Sequence, residues 1–316
     1  MIKISSQQFP KTFKMDQFKF DFTQVSIFKD RVFERSRKLI DTGIWQGIDK
    51  HRLEAWIDGL AVHDNTDLLA ACLLDNLIYR SRDQFYSLIR SLFYSQMGIT
   101  EADLKEDLIS LLKAKNKGSV FVTPVIALHQ PPTKSGPYIL RIAQRLFRFD
   151  DSNLKWPFDL QKHAQTMKYL ICLDDFCGTG TTFVKFMRRN KIDQMRNANP
   201  DLRIIYFVAA AHAEGIKHIM DQFRYVEVYC SDYLTERHNF FGPSIFEKYD
   251  TPGLREHITE CYEDFNLKNK VALQGTTFHH GFGQLGLTYA AFHSTPNNSL
   301  PVFWSGNGLW KPLLDR

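Results

Sequence analysis

The chain has 316 residues, 44% hydrophobic and 24% charged, with a formal net charge of +5 at pH 7. That composition supplies a packed core and excludes a fibrous or low-complexity protein. No apolar run reaches the ~20 residues that cross a bilayer, and the opening MIKISSQQFPKTFK lacks the hydrophobic stretch of a secretory signal. A soluble, cytoplasmic protein is therefore expected, with no membrane partner. Cys72, Cys172, Cys177, Cys230 and Cys261 are dispersed and never spaced as CxxC, which fits reduced thiols and not a disulfide framework or zinc site.

In chain order, residues 23–115 carry apolar side chains at helical spacing, in FKDRVFERSRKLI, HRLEAWIDGLAV, DLLAACLLDNLIY, DQFYSLIRSLFY and EADLKEDLISLLKAK. The breaks hold boundary residues: Gly43 and Gly47, then Asn65-Thr66-Asp67, Ser81, and Thr100 with Asp103 as a capping box. An all-helical N-terminal region over 1–116 follows. Its aromatics sit at helical spacing, as core residues do.

After KNKGS the rhythm changes. VFVTPVIAL reads as a buried strand, HQPPTKSGP as a loop and YILRIAQRLFRF as a helix; MKYLICL is a second strand, and TTFVKFMRRNKIDQMR a helix. LRIIYFVAA, HAEGIKHIMDQF and YVEVYC continue as strand, helix, strand, and TPGLREHITECYEDF as one more helix with Pro252 near its start. Strands alternating with helices predict an α/β core over 117–270, a parallel sheet with helices on both faces. The tail, 271–316, is rich in Gly, Asn, Pro and aromatics. It reads as an irregular cap with a short strand at LPVFW, where Trp304 and Trp310 form a hood over a ligand.

The chemistry concentrates in LICLDDFCGTGTTF, residues 170–183. If YLICL is a strand, Asp174 and Asp175 fall where the chain leaves the sheet, the side on which ligands of such sheets bind. Gly178, Thr179, Gly180, Thr181 and Thr182 then turn into a helix whose first amides form an anion site, with threonine hydroxyls as further donors. A phosphate in that loop repels two carboxylates just upstream, so the acids face vicinal hydroxyls, Mg2+ or a developing cation. A sugar phosphate satisfies all of these together. The surrounding charge agrees: Lys and Arg outnumber Asp and Glu 12 to 6 over residues 118–200, against 18 to 16 before and 10 to 13 after. This mild excess suits an anionic small ligand and also permits a nucleic-acid strand.

LICLDDFCGTGTT resembles the signature of type I phosphoribosyltransferases, a hydrophobic strand followed by two acids, a spacer and a TG-containing loop. The resemblance implies that Asp174 and Asp175 hold the ribose hydroxyls and associated Mg2+ of phosphoribosyl pyrophosphate (PRPP) or a nucleotide. It also implies that Gly178, Thr179, Gly180, Thr181 and Thr182 hold the 5'-phosphate. Lys134, Ser135 and Gly136 then fall in the pyrophosphate loop, with Ser135 able to cap the next helix. One departure stands out: many members carry a third acid where this chain has Gly178.

WIDGL, LLAACLLDNLIYRS, LDDFCGTGTTF, TPNNSLPVFW and a closing W-K-P-L together resemble the phosphoribosyltransferase-like effectors of prokaryotic conflict systems. Those accompany retron reverse transcriptases or ATPases in anti-phage loci. The resemblance implies an effector acting at the anomeric carbon of its ligand, as a phosphoribosyltransferase or nucleotide N-glycosidase. Its partner would be an ATPase or a reverse transcriptase with its nucleic acid, and a homo-oligomer is possible. A non-catalytic nucleotide-sensing or assembly module and a nucleic-acid-modifying enzyme remain alternatives.

Other motifs carry less. No Gly-Lys-Ser/Thr follows the glycine-rich loop, which excludes a P-loop. GFGQLG at 281–286 follows no clear strand and has Leu300-Pro301 where a dinucleotide fold needs an acid, so it reads as a flexible cap loop. His279, His280 and His293 lack clear metal-ligand spacing, and His212 and His218, six apart, do not share a helix face. Cys177 near a helix start invites a nucleophile reading, which the two neighbouring carboxylates oppose.

Overall fold

The computed structural model describes residues 22–61, 66–95, 108–115, 118–126, 134–271, 279–306 and 310–316. The Thr100/Asp103 capping box and loop residues 127–133 lie outside them. Strands β2 (Val120–Pro124), β3 (Tyr169–Cys177), β4 (Arg203–His212) and β5 (Val226–Leu234) form a parallel sheet in the order β2-β3-β4-β5. Both faces are covered, which is why β2, β4 and the first half of β3 read as continuous apolar runs. Phe121, Leu170, Cys172, Ile204, Tyr206 and Val208 face one side, packing against α7 (Thr181–Arg189), α8 (Ile192–Ala198) and α9 (Ala213–Gln222). Val122, Ile171, Leu173, Ile205 and Phe207 face the other, under α4 (Arg82–Ser95), α5 (Leu108–Lys113) and α6 (Ser135–Phe147). Between α6 and β3 the chain runs along the outer edge of β2, where Leu154 bridges Val122 in parallel. It then changes face through the 3-10 turn Pro157–His163, whose Leu160 joins the α7–α9 side.

A second core joins the two ends of the chain. Helices α1 (Phe22–Asp41), α2 (Lys50–Leu60) and α3 (Thr66–Asp75) pack with α10 (Pro243–Phe246), α11 (Leu254–Asn269) and the last residues. At its centre Trp56, fully buried, stacks on Phe303 at 5.6 Å and donates its indole N–H to the Val302 carbonyl at 2.9 Å. Gly59 lets the Trp310 ring lie on α2: a side chain there would begin 2.8 Å from the ring. The expected hood is therefore incorrect. Trp304 and Trp310 are core residues of this lobe, because the N-terminal helices supply partners that the tail alone lacks. Helices α4 and α5, which the sequence places among the N-terminal helices, are laid by the fold on the sheet.

Three local expectations change. The strand expected at LPVFW is a 3-10 turn, Pro301–Phe303, since Pro301 has no N–H to donate to a ladder. The tail's strand is β6 (Tyr289–Ala291), paired in parallel with β1 (Ile78–Arg80), which lies hidden in the helical-looking run LLDNLIYRS. The single helix expected over 181–196 is broken into α7 and α8 where Lys191 adopts φ 53° and Asn190 turns back to the Phe186 carbonyl. No described helix is long and apolar enough to cross a membrane.

Candidate functional site

Strand β3 runs four residues further than YLICL, so both acids lie within the strand: Asp174 pairs with Val208, and Phe176 with Ala210 on β4. Asp174 is buried, and the strand tolerates it because both carboxyl oxygens are satisfied. Tyr206 donates to Oδ2 at 3.0 Å and the Asp175 amide to Oδ1 at 3.0 Å. Burial, then the charge of Asp175, pushes the Asp174 carboxyl well above the usual range. Asp175 behaves oppositely. Burial works to raise it, but the contact with His293 Nε2 at 3.2 Å, with Ser135 Oγ donating at 2.9 Å, holds it below the usual range. Two adjacent buried carboxylates do not both ionise readily; here the Asp174 carboxyl is pushed up and the Asp175 carboxyl held down. The Asp175 side chain retains 15% exposure, and an ionised carboxylate has about four acceptor positions, so it still has capacity for a ligand.

The loop that follows is gripped from both sides. On one side is α9, which starts directly at the end of β4: a side chain on Gly215 would begin 2.2 Å from the Gly178 carbonyl, and His218 Nδ1 lies 3.0 Å from the Thr179 carbonyl. On the other is the tail. The Asn298 amide fills the space in front of Gly178, where any Cβ would sit 2.1 Å from its Oδ1, and a side chain on Gly283 would begin 2.4 Å from the Thr179 methyl. GFGQLG is thus not a loose cap loop but a wall packed on the threonine loop. Gly180 takes φ 74° as the N-cap of α7, with no side chain capping the helix. The amides of Thr181, Thr182 and Phe183 precede its first internal bond, Val184 N to Gly180 O, and face the position where an anion is best stabilised. Thr179 and Thr181 hydroxyls lie 3.1 Å apart beside them, and Thr182 is exposed.

The residues expected for a pyrophosphate loop lie at the start of α6. Lys134 is its exposed N-cap and makes no side-chain capping bond. Ser135 does not cap the helix; it sits inside the first turn and reaches Asp175. Gly136 lies close to β2, where a Cβ would be 3.2 Å from the Val125 carbonyl. The fold therefore brings Ser135, Asp174, Asp175 and the 178–182 loop to one end of the sheet.

The remaining candidates separate. His279 Nδ1 lies 3.2 Å from the Val271 carbonyl, His280 pairs with Glu263 at 2.7 Å, and His293 turns to Asp175, so the three share no metal. Among the described residues no cluster of three or more His, Cys, Asp or Glu has metal-binding geometry. His212 Nδ1 accepts from the Glu214 amide and caps α9. Burial, with Asp174 adding to it, pushes the Cys177 thiol up to about 12, which removes it as a nucleophile.

Sequence reasoning missed Tyr206, Gly215, His293 and Asn298. Asn298 falls in TPNNSLPVFW, which the effector resemblance marks without giving its residues a role, whereas His293 lies just before it and is weighed only as a metal ligand. Tyr206 had a signal of its own, a hydroxyl in the middle of the buried run LRIIYFVAA.

The PRTase-CE family model matches residues 53–316. Among solved structures, that of the AQ2163 protein from Aquifex aeolicus is similar at 13% identity and a TM-score of 0.30, over 59% of this chain and 83% of that one. No curated protein matches. The family match takes in both acids, the whole threonine loop and the tail that packs on it, and the chain belongs to the phosphoribosyltransferase-like PRTase-CE family.

Proposed function

We propose that the protein binds a ribose 5-phosphate ligand, PRPP or a nucleotide, and acts at its anomeric carbon. One observation carries the reading: an ionised, partly exposed Asp175 and an uncapped helix start lie on one strand–loop–helix at the carboxyl end of a parallel sheet. The α7 amides and the Thr179 and Thr181 hydroxyls anchor the phosphate, and Asp175 accepts from the ribose hydroxyls. The C1–O bond to diphosphate then breaks with its electron pair leaving on oxygen, through an oxocarbenium-like state. An acceptor lone pair forms the new C1 bond, and the acceptor's proton passes to solvent or a base. Exposed Lys134 at the start of α6 would supply positive charge to the departing diphosphate.

Asp175 would suit Mg2+ held largely by the ligand's own oxygens, since that ion is commonly bound by one or two carboxylates plus phosphates, while Asp174, buried with both oxygens already accepting hydrogen bonds, would support it only indirectly. Such an ion neutralises charge on the leaving group. In an anti-phage effector this reaction depletes PRPP or nucleotide pools, with an ATPase or reverse transcriptase as partner.

A second reading, a nucleotide sensor without turnover, draws on Asn298, which leaves no room for an acid at position 178. Incubation with PRPP, nucleotides and Mg2+, followed by chromatography of the small molecules, separates the two. Release of diphosphate or a free base supports the enzyme. Tight binding without turnover in any combination refutes it in favour of the sensor.

A further inference from the structure

The C-terminal segment does more than cover the site, because two of its residues, five apart, reach the two halves of the acid–loop motif. His293 meets Asp175, and Asn298 fills the space before Gly178. The segment is held in register from below. Strand β6 pairs with β1, the Phe292 amide donates to the Arg80 carbonyl at 2.9 Å, and Arg80 is bound in turn to Asp232 near the end of β5 at 2.6 Å. Tyr289 of β6 donates to the same carboxylate at 3.2 Å. The His293 ring is enclosed by Phe85 of α4 at 4.6 Å, Tyr138 of α6 at 5.6 Å and Phe292 at 5.1 Å.

Its chemistry is unusual for a packing residue. The His293 side chain is 8% exposed, and its Nδ1 is buried with no hydrogen-bond partner. A buried polar atom without a partner destabilises the fold. Phenylalanine would fill this aromatic cage without burying a bare ring nitrogen. What the imidazole alone supplies is the bond to Asp175.

We propose that His293 is a positioning residue for the ligand site: with Ser135 on Oδ1 and His293 on Oδ2, it fixes the plane of the Asp175 carboxylate so that its remaining acceptor positions meet the vicinal hydroxyls of a ribose 5-phosphate. The C-terminal segment is then part of the site, and Asp175 is correctly oriented only when that segment is seated. This role rests on the ribose 5-phosphate reading above.

The test uses the full chain and two readouts. Without ligand, 15N NMR of the histidine ring should show the His293 Nε2–H hydrogen-bonded to Asp175, a contact that Asp175→Ala removes. With PRPP and Mg2+, calorimetry should show His293→Phe at least tenfold weaker than wild type, with an unchanged melting temperature. His293→Gln, whose side-chain amide keeps a donor at similar reach, should recover most of the affinity. The proposal is overturned if folded His293→Phe binds PRPP as well as or better than wild type. It is equally overturned if His293→Gln, folded, is as weak as His293→Phe. If the NMR state is as expected but the wild type binds neither PRPP nor nucleotides, the contact with Asp175 stands and the ligand reading falls, taking the positioning role with it.

Discussion

Gly178 stands where an acid would have made catalysis simple to assign, and the structure gives a steric reason for the glycine. In Gly178→Ala the new methyl would lie 2.1 Å from Asn298 Oδ1, 2.3 Å from its Cγ and 2.4 Å from Nδ2, all inside van der Waals contact. Asn298 has little room to yield. It is 4% exposed, its Nδ2 donates to the Phe282 carbonyl at 2.7 Å, and Gly281 packs against its backbone. Overpacking of a tight site costs about 1–3 kcal/mol, and displacing Asn298 also forfeits a buried hydrogen bond of about 1 kcal/mol. Gly178→Ala should therefore destabilise by about 2–4 kcal/mol. Asn298→Ala alone should cost about 1–2 kcal/mol for the lost bond and the Phe282 carbonyl left bare. In the double variant the methyl enters the space that Asn298 vacates, so the sum should fall short by about 1–3 kcal/mol of coupling. Denaturant unfolding followed by tryptophan fluorescence measures all four proteins. A harmless Gly178→Ala, or strict additivity in the double variant, refutes the steric account.

Cys177 should resist thiol reagents at pH 8 in the native protein and react on denaturation, because burial pushes its thiol up to about 12; rapid native labelling, located by mass spectrometry, contradicts this. Burial lowers His212 below its ordinary value, against the opposing charge of Glu214, so the folded state favours the neutral cap of α9. Its contribution is present above the unfolded pKa of about 6.5 and is lost as pH falls through the lower folded value. Unfolding free energy should thus fall from pH 7 towards 5, less steeply in His212→Asn, which keeps an N-cap acceptor; equal slopes refute the assignment. Gly59→Ala should destabilise by about 1–3 kcal/mol despite alanine's better helix propensity, since its methyl would meet the Trp310 ring at 2.8 Å; a stabilised variant shows that the ring moves away freely.

What the sequence revealed depended on how local the signal was. YLICL followed by two acids and GTGTT located β3, the loop and the start of α7, though the strand runs on to Cys177, because apolar run, glycine spacing and helix start are all written within 20 contiguous residues. The break at Asn190-Lys191 was missed, since the helical apolar period continues across it and only the backbone shows the left-handed turn. β1 was missed because three residues, Ile78 to Arg80, are too few to show a period of two, and their partner lies more than 200 residues away in β6. The same distance hid the shared lobe: Trp310 had no visible neighbour in the tail because its neighbours, Trp56 and Gly59, lie in α2. The roles of His293 and Asn298, and the contact of Ser135 with Asp175, were hidden from pattern reading for that reason too. Each is an ordinary loop or helix-start residue until the fold sets it beside Asp175 or Gly178.

The central claim is that acid and loop bind opposite ends of one ligand. Calorimetric titration of wild type and Asp175→Ala with ribose 5-phosphate and 2-deoxyribose 5-phosphate, in the presence of Mg2+, tests it most directly. Hydrogen bonds to a charged partner contribute about 1.5–3 kcal/mol, so the missing hydroxyl should weaken wild-type binding roughly 10- to 150-fold. It should make little difference in Asp175→Ala, where phosphate binding by the loop remains. Equal affinity of the wild type for the two sugars, or the same loss in both proteins, would contradict the account.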